Sequence, residues 1–182
     1  RSAELKNKMI PVCAGPAEQA AQMIAASMRK GGKLMLCGNG GSAGDSQHLA
    51  AEFVATLDHT KPRPSLPALS LTTDTSFLTA YANDFGFEDV FARQVEALGQ
   101  PGDVLLGIST SGNSKNVLAA AKAAKDNQIS VIAFTGETGG QMADFADLLV
   151  AIPSRIIMHI QECHIALGHA ITARVETLLS EK

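Results

Sequence analysis

The stretch "LCGNGGSAGDSQHLAAEF", residues 36–53, holds two kinds of chemistry in one short span. Asn39, Gly40, Gly41 and Ser42 form a small-residue turn, and His48 and Glu52 follow it four residues apart. On a helix, residues four apart share a face one turn from each other. A His/Glu pair so placed suits a salt bridge, half of a metal site, or an acid/base couple, and spacing alone does not choose among them. Its position does carry information, because the helix bearing the pair starts at the glycine turn.

A second such turn is "ISTSGNS", residues 108–114, which offers four hydroxyls at Ser109, Thr110, Ser111 and Ser114. Glycines let a backbone approach a ligand closely, and the helix N-terminus that follows favours an anion. Hydroxyls there can hydrogen-bond a phosphate without help from Lys or Arg. Neither turn matches GxGxxG or carries GK[ST], so neither a dinucleotide fingerprint nor a P-loop is supported. Near the C-terminus, "HIQECHIALGH" (159–169) places His159, His164 and His169 around Gln161 and Glu162. Gln161 and His169 differ by about 80° around a helix, and Glu162 lies closer still to the direction of His169. Periodicity therefore selects neither Gln161 nor Glu162 as a partner for His169. Finally, "YANDFGF" (81–87) reads as a helix break in which Asn83 and Asp84 cap the next helix or hydrogen-bond sugar hydroxyls.

The elements that must position these residues alternate regularly. Helices are expected over 16–30, 42–56, 74–83, 88–98, 114–126, 139–146 and 156–181, with Pro16 in the first turn of the first. Short strands are expected at 33–37, 68–71, 103–109, 129–136 and 147–152. The three prolines of "HTKPRPSLP" (59–67) make that segment a loop. Strands that are apolar along their whole length, separated by helices, imply an α/β doubly wound sheet of five parallel strands covered on both faces. The expected organisation is one domain over 1–182 with an N-terminal helical segment to about residue 31. In such sheets ligands bind at the carboxyl ends of the strands, where both small-residue turns fall.

Composition narrows the function classes. The 182 residues carry a net charge of −3, which gives no electrostatic case for nucleic acid or an anionic membrane. Apolar runs are too short for a membrane-spanning helix, and the first fifteen residues carry no secretory pattern. Three scattered cysteines without a CxxC point to reduced thiols and a cytoplasmic location.

Taken together, "CGNGGSAGDSQHLAAEF", "ANDFGF", "GDVLLGISTSGNS", "TGETGGQMADFAD" and "IQECHIALGH" closely resemble the phosphoheptose isomerases of the sugar isomerase (SIS) domain superfamily. The resemblance runs from about residue 16 to the C-terminus, and "STSGNS" by itself marks only the superfamily. It implies a flavodoxin-like SIS domain that turns sedoheptulose 7-phosphate into D-glycero-D-manno-heptose 7-phosphate through an enediol, the first step of bacterial heptose nucleotide synthesis. It also implies roles. Glu52 falls on the family's base and His169 on its acid. Asn39, Gly40, Gly41, Ser42, Asn83 and Asp84 fall on sugar contacts, and Ser109, Thr110, Ser111 and Ser114 on the phosphate loop. His48, Glu52, Gln161 and His169 fall on the positions that bind zinc in metal-dependent members, so the resemblance selects Gln161 where periodicity did not. A homotetramer with sites near subunit interfaces is implied as well. The chain departs from the family at Thr56, where some members carry Arg, and at Met158 and His159, where members often carry "DR" or "GR". A rival expectation is a non-catalytic SIS protein that binds a replication initiator or senses a sugar phosphate, although Glu52 stands at the base position that the initiator-binding subgroup lacks.

Overall fold

The computed structural model describes residues 1–180. Five strands, β1 (Leu34–Gly38), β2 (Ala68–Ser70), β3 (Val104–Ile108), β4 (Ser130–Thr135) and β5 (Leu148–Ala151), form one all-parallel sheet in the order β2-β1-β3-β4-β5. The helices are α1 (Ser2–Arg29), α2 (Gly41–Val54), α3 (Thr75–Phe85), α4 (Ala92–Leu98), α5 (Lys115–Asp126) and α6 (Ile157–Ser180). A short 3-10 turn over Gly140–Asp144 stands where a helix was expected over 139–146.

Side chains alternate across each strand, and this divides the core in two. Leu34 and Leu36 of β1 join Leu106, Ile132, Phe134 and Val150 in a cluster with α1, α2 and α6. Met35 and Cys37 join Leu105, Val131 and Ala133 in a second cluster with α4 and α5. Both faces are therefore covered, which is why these strands carry no polar alternation.

Two expectations needed correction. The first helix begins at Ser2 and runs unbroken through Pro11 and Pro16. Each proline removes one backbone hydrogen bond, but Leu5, Met9 and Cys13 are buried in the core cluster that α6 shares, so packing holds the extra turns. The second concerns Asn83 and Asp84. They lie in the last turn of α3, bonded to each other (Asn83 Nδ2 to Asp84 Oδ1, 2.8 Å), and do not cap the following helix, which starts only at Ala92. The cap in this region is Asp74, which accepts from Phe77 N at 2.9 Å and starts α3. Residue 181, the expected end of the last helix, lies outside the described residues.

Candidate active site

The chain reverses its winding direction between β1 and β3, which are neighbours in the sheet although β2 comes between them in sequence. Such a switch point opens a crevice beyond the strand ends. The turn after β1 is the glycine turn and the turn after β3 is the serine turn, so both expected ligand-facing segments flank this one crevice. A reciprocal amide pair bridges them. Asn39 Nδ2 donates to Asn116 Oδ1, and Asn116 Nδ2 donates to Asn39 Oδ1, both at 2.8 Å. The pair lies on the lining of an open cleft of about 460 Å³ shared with Ser114, Lys115, Phe87 and Glu88.

In the serine turn the hydroxyls converge. Ser109 Oγ lies 2.9 Å from Ser114 Oγ and 3.5 Å from Ser111 Oγ. Ser109 is buried, whereas Ser111 is exposed and Thr110 and Ser114 are half-buried. Gly112 holds φ 67° and packs so tightly on the segment beyond β4 that an added Cβ would stand 2.0 Å from Gly139 O. Met142 N donates to Gly112 O at 2.9 Å and Gln141 N donates to Asn113 Oδ1 at 3.0 Å, which brace the turn from behind. The cation nearest to hand in sequence, Lys115, is exposed and paired with Glu88 at 2.6 Å.

The helices α2 and α6 pack side by side and parallel, with Gly41 against Gln161, Leu49 against Gly168 and His48 against His169. Along this seam His48 Nε2 lies 2.8 Å from His169 Nε2 and 3.4 Å from Glu52 Oε1. The ligating atoms of His48, Glu52 and His169 all lie within 4.8 Å of one another. Three residues separated by up to 121 positions thus form one N/O donor cluster, with His48 exposed and Glu52 and His169 half-buried. Tetrahedral zinc with Zn–N near 2.0–2.1 Å sets its ligand atoms about 3.3 Å apart. The 3.4 Å His48–Glu52 separation suits that geometry, and the two imidazoles need to part by about half an ångström. The His/Glu/His donor set could therefore hold a metal ion. Gln161 stands at the other end of the seam. Its amide covers Gly41 so closely that a Cβ there would lie 2.6 Å from Nε2, so a side chain at position 41 would displace it. Glu162, which periodicity left open, points away and accepts from Ser2 Oγ near the start of α1.

Several residues of the site carry no local sequence signal. Asn116 is one. Asp45 is another: it sits one turn before His48, its Oδ2 is buried without a hydrogen-bond partner, and burial raises its carboxyl pKa while His48 opposes the shift. Arg63, inside the proline-rich loop, donates to Glu52 O at 2.7 Å and Phe53 O at 2.9 Å, and pairs with Glu176 of α6 at 2.6 Å. It satisfies carbonyls at the C-terminal end of α2, where a cation is favoured by the helix dipole. His164, one of the three histidines of the motif, is fully buried, with Nε2 3.0 Å from Thr135 O, and burial lowers its pKa to about 4. It belongs to the core. Asn83 and Asp84 are exposed on α3.

The fold and the two turns define a SIS domain, and the family model of that description matches residues 2–136. Among curated proteins, the chain is 49% identical to the phosphoheptose isomerase of Roseiflexus sp. (strain RS-1), covering 100% of this chain and 91% of that one. It is also 49% identical to that of Aquifex aeolicus (strain VF5), covering 100% and 94%. Among solved structures, the phosphoheptose isomerase of Neisseria gonorrhoeae superposes with a TM-score of 0.90 at 45% identity, over 97% of this chain and 93% of that one. The chain belongs to the phosphoheptose isomerase family and is an isomerase. A RpiR transcription factor from Sphaerobacter thermophilus, 18% identical with a TM-score of 0.68, shares the fold alone. The non-catalytic alternative is not favoured.

Proposed function

We propose that this chain, acting as one SIS domain, interconverts sedoheptulose 7-phosphate and D-glycero-D-manno-heptose 7-phosphate. The observation that carries the reading is that a chain matching phosphoheptose isomerases along its whole length holds both a hydroxyl-lined turn at the strand ends and a His/Glu/His cluster. The hydroxyls of Ser109, Thr110, Ser111 and Ser114 receive the phosphate. Asn39, Gly40, Gly41, Ser42 and Gln161 line the path of the sugar, joined by Asn83 and Asp84.

The reaction needs a base at carbon and an acid at oxygen. Glu52 removes a proton from C1 of the ketose and returns it to C2 through the enediol. His169 gives a proton to the carbonyl oxygen at C2, and the hydroxyl at C1 gives one up, so no net oxidation occurs. His48, Glu52 and His169, whose donor atoms cluster at the seam, are the residues that would hold zinc, with Gln161, about two turns away along α6, as the fourth ligand that the family resemblance implies; the ion would supply Lewis-acid polarisation of the sugar oxygens when bound. A carboxylate oxygen that held a metal would be a weaker base, and an imidazole nitrogen that held one could not donate a proton from that atom, so the division of acid and base work between Glu52 and His169 would depend on which of their atoms the metal takes.

We also assign the protein to the cytoplasm and to a homotetramer. No described helix is long and apolar enough to cross a membrane, and Cys13, Cys37 and Cys163 are buried and form no disulfide. Support for assembly comes from α3, which buries none of its residues and carries a ladder of aromatic rings, Phe77 to Tyr81 at 5.4 Å and Tyr81 to Phe85 at 5.0 Å. Phe85 is 75% and Phe87 53% exposed, so large apolar side chains cluster on this surface, as at interaction sites. Light scattering on the purified protein tests the tetramer, and a monomer would refute it.

The deciding experiment is incubation with sedoheptulose 7-phosphate and identification of the product by NMR. Conversion to the aldose is expected, and recovery of unchanged ketose would refute the substrate. Elemental analysis of protein purified without chelator tests the metal, and full turnover after exhaustive chelation would remove it from catalysis.

A further inference from the structure

We propose that Asn116 is a positioning residue for the isomerase reaction. Through its reciprocal amide bond with Asn39 it fixes the distance between the turn that receives phosphate and the turn from which the Glu52 helix starts. The inference rests on the isomerase reading above. Asn116 is buried, stands two residues after Ser114 at the start of α5, and is 77 residues from Asn39 in sequence.

The chemistry of the pair makes it a strut. Each amide gives the other one N–H and one oxygen lone pair, so the two planes lock in register with both bonds at 2.8 Å. Asn116 is buried and Asn39 half-buried, so water competes for these bonds less than at an open surface. The backbone on the other side of Asn39 is also committed, since Ser42 N donates to Asn39 O at 3.0 Å and Gly44 N and Ala43 N donate to Gly40 O. Displacing Asn39 therefore displaces the first turn of α2. On the partner side, Val117 N and Leu118 N donate to Ser114 O, so Asn116 moves with the serine turn. An extended sugar phosphate held at one end by hydroxyls and reacting at the other tolerates little change in that distance, because rates depend steeply on near-attack geometry. Among the described residues no other side-chain pair bonds the two turns to each other. Asn39 thus has a role that a sugar contact alone does not describe: half of its amide is occupied by Asn116 and half is left to face the cleft.

The test compares Asn116→Ala and the isosteric Asn116→Asp with the parent enzyme, using sedoheptulose 7-phosphate as substrate and inorganic phosphate as competitive inhibitor. A tenfold or greater fall in kcat per folded molecule is expected for both variants, with the phosphate inhibition constant changed less than about threefold. In an Asn39→Ala background, Asn116→Ala should cost less than twofold further, since the two residues act as one unit. Hydrogen exchange of the parent and Asn116→Ala adds a readout that needs no turnover: protection should fall together in segments 38–44 and 109–117. Unchanged kcat, multiplicative losses in the double variant, or protection lost only in 109–117 would each overturn the strut. An inactive parent enzyme would refute the substrate reading instead, and the exchange comparison would then decide the strut alone. Should Asn116→Ala fail to fold, Asn116→Asp keeps the volume and one of the two bonds and carries the same kinetic and exchange comparisons.

Discussion

The two turns at the switch point read alike in sequence, small residues between an apolar strand and a helix, yet they are built on different principles. The glycine turn is open to a neighbour: Gly41 has no side chain so that Gln161 of α6 can lie across it. The serine turn is closed behind: Gly112 has no side chain because the backbone of Gly139 already occupies that space, at a φ of 67°. One glycine makes room for a side chain from another helix and the other for a neighbouring stretch of backbone. The same contrast separates two histidines five residues apart on α6. His169 reaches the cluster at the seam, and His164 is sealed under the sheet edge against Thr135 O.

Several substitutions sharpen or break this contrast. Glu52→Gln carries the largest expected effect: it keeps size but removes basicity, so kcat should fall by about 100-fold or more with sugar-phosphate binding retained. Steady-state turnover near the parent value would remove Glu52 as the base. Next comes the joint change Ser111→Ala, Ser114→Ala. Each charge-assisted bond to phosphate is worth about 1.5–3 kcal/mol, and the remaining Ser109 and Thr110 compensate in part, so KM should rise about 50-fold with kcat much less affected. A KM within twofold would move the phosphate elsewhere.

The glycines give the direct comparison. Gly112→Ala places a methyl against rigid backbone in the left-handed region and should cost about 2 kcal/mol of stability, measured by denaturant unfolding. Gly41→Ala pushes only the end of a flexible amide. It should leave stability within about 1 kcal/mol but cut kcat/KM about tenfold, because Gln161 is displaced. Equal losses of stability for the two would erase the distinction.

The last prediction concerns His164 and bears on stability alone. Its pKa is near 4 in the folded chain against about 6.5 when unfolded, so the unfolded state binds a proton that the native state refuses. Stability should therefore be full above about pH 6.5 and fall as pH drops toward 4, with a slope of about 1 kcal/mol per pH unit from this group. His164→Gln should flatten that slope in thermal melts across the window while leaving the pH profile of kcat in place. A slope unchanged by the substitution would assign the acid sensitivity to other groups.

The sequence by itself determined a good deal. Strands apolar throughout and separated by helices permit little but a parallel sheet covered on both faces, and small-residue turns after two of them fall at the carboxyl edge, where open α/β sheets bind ligands. The i, i+4 spacing placed His48 and Glu52 on one face, because helix periodicity is a local property. The family resemblance added Gln161 and His169, which spacing left undetermined. What the tertiary structure alone decided is everything that depends on contacts between distant segments. The extension of α1 through two prolines reflects burial against the core, which overrides a local cost. The 2.8 Å meeting of His48 with His169 depends on two helices packing in parallel. The choice of Gln161 for the seam, with Glu162 turned toward Ser2, depends on how α6 is rotated about its axis. The Asn39–Asn116 pair and the Arg63 clamp join residues whose neighbours in sequence give no hint of a partner. Hydrogen bonds across 77 residues arise from the order in which strands lie in the sheet, and that order is set by the packing of the whole core, not by any one segment.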